Sequence, residues 1–211
     1  MSAKCADNCE FDGKDPQFLR ALKVVIFINV TMFVVEMIAG HIAQSRALMA
    51  DALDFFSDSI TYGVSLAVIG MSLRVRSFAA LGKGISLLLM GLWVMGSTIY
   101  NVFVLNVPEA EVMGGIAFLA LSANLLSVAL LLKWKDGDAN VRSVWLCSRN
   151  DAIGNVAVML AALGVFGTGS AWPDLIVATI MALLFLNSSR QIIRQALKEI
   201  RSKHVHEGGK I

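Results

Sequence analysis

Six runs of predominantly apolar residues, at 20–43, 47–71, 84–105, 112–132, 142–166 and 172–187, set what this chain can fold into. Each is close to the roughly 20 residues that an α-helix needs to cross the hydrocarbon core of a bilayer. A backbone surrounded by lipid must satisfy its own polar groups, which a helix does and an open strand does not. The expectation is an all-α integral membrane protein of six transmembrane helices with no large soluble domain. Composition agrees: only 16% of the 211 residues are charged, against about 25% in a soluble domain. A net charge of +2 singles out no partner, and no basic, aromatic-interleaved patch points to nucleic acid.

The runs divide the chain into a polar tail over 1–19, a six-helix domain over 20–190 and a short basic tail over 191–211. The first sixteen residues hold four acids and no apolar core, so they are no secretory signal. The first run is expected to serve as an uncleaved signal-anchor. Arg74, Arg76 and Lys83 mark a basic loop, and 136–140 and 167–173 read as turns. All but two of the eighteen Lys and Arg fall on one side of this topology. Arg46, in an opposite-side loop, and Arg149, inside a helix, are the exceptions. The positive-inside rule then puts both termini in the cytoplasm, with a bacterial inner (plasma) membrane as the expected location.

The second run, SRALMADALDFFSD onward, carries acids that a lipid-facing helix does not tolerate. Asp51, Asp54 and Asp58 stand at i, i+3 and i+7, one helical face. Intramembrane acids on a single face line a pathway or bind an ion by default. The fifth run offers a weaker echo, Cys147 and Asp151, one turn apart. Two helices with two ligands each can build a four-ligand site from Asp54, Asp58, Cys147 and Asp151. Carboxylates with a thiolate suit a divalent ion of intermediate softness: zinc first, with cadmium and cobalt as alternatives. Such ligands shed protons when they bind metal, which is the physical basis for exchanging metal against protons.

Each residue also has a plainer reading. The acids of the second run could form a polar seam that serves packing, and a buried free cysteine behaves as a small hydrophobe. Arg149 is expected to pair with Asp51, leaving the other acids for metal. Asn29, Glu36 and Asn124 read as interhelical hydrogen-bonding groups, and Gly63, Gly70, Gly91 and Gly96 as sites of close helix contact. Three cysteines make no disulfide framework. Cys5 and Cys9 in the acidic tail, and His204 and His206 near the C-terminus, are secondary metal contacts at most. A disordered tail and a solvated terminus are preferred.

The residues resemble the cation diffusion facilitator family. SRALMADALDFFSD is similar to the family's second helix, where a pattern like SLALLADAxHxxSD carries a metal pair; the matching positions are Asp54 and Asp58. NVRSVWLCSRNDAIGNVAVMLAAL resembles the fifth helix, with Cys147 and Asp151 at the ligand positions. INVTMFVVEMIAG, with Asn29 and Glu36, and the stretch from Trp172 to Ile200 resemble the first and sixth. Asp54 and Cys147 stand where histidine is commoner, and the fourth–fifth loop has no His-rich insert. The chain ends shortly after the sixth helix, so the family's cytoplasmic ferredoxin-like domain is expected to be absent.

The resemblance implies a proton-coupled exporter of divalent metal, not an enzyme and without a bound cofactor. Its partners would be metal ions, protons and lipid, with a homodimer as the candidate assembly. A metal-binding membrane sensor or accessory protein without turnover is the alternative. A passive channel would want acids repeated around a symmetric pore, and the sequence shows one asymmetric pair of helices.

Overall fold

Asp15 accepts a hydrogen bond from the Gln17 amide at 2.9 Å, and Pro16 fills a first-turn position that needs no donor. Helix α1 (Pro16–Ile42) therefore starts ahead of its apolar run. The computed structural model describes residues 15–67, 73–104, 106–134 and 139–207. These hold α2 (Arg46–Ala67), α3 (Leu73–Val104), α4 (Ala110–Leu131), a 3-10 turn at Leu132–Trp134, α5 (Ala139–Thr168) and α6 (Trp172–Glu207). Among the described residues there is no strand. Cys5, Cys9, Gly70 and residues 136–138 of the fourth–fifth turn lie outside them, as do the side chains of Arg74, Arg76, Cys147, His204 and His206.

Two boundaries differ from the sequence expectation. The basic stretch before the third run is not a loop, because Arg74, Arg76 and Lys83 belong to α3. The intervening Phe78, Ala79, Ala80 and Leu81 contain no helix breaker, and a helix that satisfies its own backbone continues past the bilayer edge into water. The same reasoning carries α6 on to Glu207, so the division at residue 190 falls inside a helix.

Helices α1 and α4, with the stretches Ser77–Val104, Arg149–Thr168 and Trp172–Lys198, are each long and apolar enough to cross a membrane. Helix α2 does not reach that hydropathy among the described residues, because Arg46, Asp51, Asp54 and Asp58 lower it. Position compensates: α2 packs against α1, α3, α5 and α6. Large apolar side chains such as Phe27, Phe103, Leu160 and Phe166 stay exposed, as lipid-facing residues of an integral membrane protein should. The interior is built from Leu48, Met90, Val94, Met113, Val158, Phe185 and many alanines.

The most extensive interfaces pair α1 with α2, α3 with α6 and α4 with α5. Small residues explain the closeness of α3 and α6. A Cβ on Gly84 would lie 2.7 Å from the Ile193 side chain and 3.3 Å from its backbone nitrogen. Ser189 Oγ donates to the Gly84 carbonyl across the same gap, at 2.8 Å. Gly91 also touches α6, at Leu186, whereas Gly63 and Gly96 have open space where a Cβ would sit.

At the end of the bundle carrying the α1–α2 turn, one carboxylate from a distant helix fixes the start of α2. Asp174 accepts from Ser45 Oγ at 2.6 Å, from the Arg46 amide at 2.8 Å and from the Ala47 amide at 3.0 Å. Ser45 Oγ in turn accepts from the Leu48 amide at 3.0 Å, so the first-turn donors of α2 are all engaged. The Glu109 amide ties the α3–α4 connection to the Ala43 carbonyl nearby, at 2.9 Å. Replacing Asp174 by Ala strands buried donors at roughly 1–3 kcal/mol each. Asp174→Ala is therefore expected to lower unfolding free energy by about 3 kcal/mol, with Asp174→Asn milder. Denaturant unfolding of the detergent-solubilised protein measures this, and a loss near zero would show the cap to be dispensable.

Candidate metal site

The register between α1 and α2 is set by apolar contacts. Leu22 and Val25 cluster with Tyr62, Met32 with Phe55, and Gly40 closes on Met49. The rings of Phe33 and Phe56 stack with centroids 4.8 Å apart. In this antiparallel register Asn29 stands level with Asp58 and Glu36 with Asp51. The polar stripe of α1 thus runs along the acidic stripe of α2, and neither faces lipid.

Asp51, Asp54, Phe55 and Asp58 of α2, Asn124 of α4 and Asp151 of α5 line one small cavity. The Asp151 carboxyl is within hydrogen-bonding reach of both Asp54 and Asp58. Carboxylates have acceptors only, so such an arrangement needs protons or a cation among them. Tyr62, fully buried, donates its hydroxyl to Asp58 Oδ2 at 2.6 Å. Three of the four residues expected from the sequence therefore meet in one place. Cys147 lies one turn before Asp151 on α5, its side chain outside the described residues. Among the described residues no group of three or more His, Cys, Asp or Glu side chains is placed to hold a metal ion. Carboxylate oxygens, with a cysteine one turn away, are donor types that suit a divalent ion of intermediate softness.

The expected partnership of Asp51 with Arg149 is not what the fold provides. Asp51 is buried and turned toward Glu36 of α1. Arg149 is exposed, with Nη2 3.3 Å from Asn150 Oδ1. The helical spacing of Asp51 could not reveal this, because its partner is chosen by the α1–α2 register. Tyr62 was not singled out from the sequence. Its signal was there, a hydroxyl one turn after Asp58 on the acidic face. Asn124, expected to hydrogen-bond between helices, lines the cavity.

Comparison with known proteins locates the similarity over most of the chain. The cation efflux transmembrane domain family matches residues 22–200. The metal cation efflux system protein CzcD of Cupriavidus metallidurans is 26% identical over 84% of this chain and 60% of its own length. A cadmium, cobalt and zinc/H(+)-K(+) antiporter of Bacillus velezensis is 26% identical over 82% of this chain and 60% of its own length. The zinc transporter ZitB of Yersinia pestis is 28% identical, with 84% and 61% covered. The chain thus spans about three fifths of the length of these relatives.

The Tyr62–Asp58 hydrogen bond holds one carboxylate in place, and groups that orient metal ligands are worth about 10–100-fold in affinity. Tyr62→Phe should weaken equilibrium binding of zinc about tenfold while leaving the helical content unchanged. Titration calorimetry on the purified protein reads the first and circular dichroism the second. An unchanged affinity would reduce Tyr62 to a packing residue.

Proposed function

The chain belongs to the cation efflux family, the cation diffusion facilitators, and on that footing we propose that it exports divalent transition-metal cations in exchange for protons. Zinc is the first candidate substrate, with cadmium and cobalt beside it. The observation that carries this reading is the convergence of Asp54, Asp58 and Asp151, from two helices, on one cavity inside an apolar bundle. Cys147 is the proposed fourth ligand. The names of the relatives support metal efflux as the class of activity, and one of them is named for exchange against protons and potassium.

The chemistry follows from charge. Three carboxylates in one low-dielectric cavity repel one another, so the empty site holds protons among them. An incoming dication, with twice the charge, draws the ionised carboxylates and the thiolate together and releases those protons. When the site opens to the other, more acidic side, protons re-enter and the metal leaves. This is alternating access around a fixed site, driven by the proton gradient. The Lys and Arg distribution supports a cytoplasmic position for both termini, and an inward proton gradient across that membrane would drive the metal outward.

Proteoliposomes with an imposed pH gradient and a panel of zinc, cadmium and cobalt test the proposal. Flux should follow the gradient and vanish in Asp58→Ala and in Asp151→Ala. Flux indifferent to pH, or surviving Asp58→Ala, would defeat the exchange model, and binding without flux would leave a sensor. Cys147→Ser should weaken cadmium more than zinc, because oxygen is the poorer partner for the softer ion. Equal losses would return Cys147 to packing. For orientation, Glu109→Cys should react with an impermeant thiol reagent from outside the cell only.

A further inference from the structure

One helical turn from the cavity, toward the α1–α2 end, a second set of buried polar atoms has no hydrogen-bond partner. Glu36 is fully buried, and neither Oε1 nor Oε2 receives a donor. Asp51 Oδ2 is buried and unpartnered in the same way. The two carboxyls lie within hydrogen-bonding reach of each other. Two carboxylates have no donor between them, so a positive charge must lie there when both are ionised.

A residue on a third helix points to more than an acid pair. Asn155 of α5 sits one turn beyond Asp151 on the same face, fully buried, with both Nδ2 and Oδ1 unpartnered. Asp151 lies against Asp54 and Asp58 where α5 packs on α2, and in an up-and-down bundle these two helices run antiparallel, so one turn onward along α5 corresponds to one turn back along α2. Asn155 is therefore level with Asp51. The same stripe continues with Val158 and Ala162, so an apolar residue would have fitted there. An unpaired buried amide is costly, and a ligand that accepts its hydrogens or uses its oxygen would offset that cost.

We propose that Glu36, Asp51 and Asn155 form a second, all-oxygen cation position, through which the divalent ion passes between the four-ligand site and the α1–α2 end. This rests on the reading of the chain as a cation carrier. The donor set has two carboxylates and an amide oxygen but no thiolate, so it favours harder ions and holds zinc less tightly than a site with Cys147. Asp51 lines the first cavity as well and faces Glu36, so one carboxylate serves both positions. A graded descent from a softer to a harder ligand set lets an ion leave a tight site without crossing bare hydrocarbon.

Manganese(II) is the probe, since it prefers oxygen ligands and its paramagnetic resonance signal falls on binding. The full chain is purified with the first site disabled by Asp58→Ala and, separately, by Asp151→Ala. Each should still bind one equivalent of Mn2+. Adding Glu36→Gln, close to isosteric, or Asn155→Leu, on a different helix, should weaken that binding at least tenfold. Absence of Mn2+ binding in both single-site backgrounds, or binding that persists unchanged after Glu36→Gln and Asn155→Leu, overturns the proposal. The carboxyl pair would then hold a proton only. The exporter reading fails on a different result, absence of metal flux through the unaltered protein, so the two failures are distinguishable.

Discussion

The cost of placing carboxylates in a bilayer governs this structure. An acid at the centre of a lone membrane helix costs about 2.5–3.5 kcal/mol on insertion scales, so Asp51, Asp54 and Asp58 together amount to roughly 9 kcal/mol. Helix α2 cannot stand in lipid by itself, and its hydropathy confirms as much. The remaining helices supply the apolar surface that it lacks, and α2 touches four of them. An element that is the weakest membrane span by composition is therefore among the most surrounded.

Holding α2 in that position requires its ends as well as its faces to be satisfied. Asp174, at the start of α6, engages the first turn of α2 with a charge placed where the helix dipole favours an anion. The aromatic and methionine contacts with α1 then fix its rotation, which decides where the acids point. Rotation matters more than depth here. Turning α2 by one residue, about 100°, would send Asp54 and Asp58 away from Asp151 and undo the cavity.

Buried polar atoms without partners are rare in folded proteins, and in this chain several of them gather near one level of the bundle. Glu36, Asp51 and Asn155 contribute unpartnered oxygens at the level next to the Asp54–Asp58–Asp151 cavity. A packing role predicts satisfied hydrogen bonds, as Ser189 has with Gly84. The two levels share Asp51, so the polar part of the bundle is a short continuous track inside an apolar shell.

Much of this was legible in the sequence, because the relevant properties are local. Apolar run length decides whether a helix can cross a bilayer, so the spans emerged close to where α1, α4 and α5 lie, and the start of α6 with them. Helical periodicity decides which residues share a face, so the three aspartates of α2 and the Cys147–Asp151 pair could be grouped without coordinates. Helix ends were less legible: Arg74 and Arg76 interrupt hydropathy but not hydrogen bonding, and α3 runs through them. What only the tertiary structure decided is which faces meet. The pairing of Asp51 with Glu36 instead of Arg149 follows from how Met32 and Phe55 interlock, and no spacing along one helix encodes that. The cap on α2 comes from Asp174, 128 residues beyond Arg46. Such contacts depend on side-chain volumes summed over several helices, a non-local quantity, whereas span and face depend on the few residues within reach of each turn.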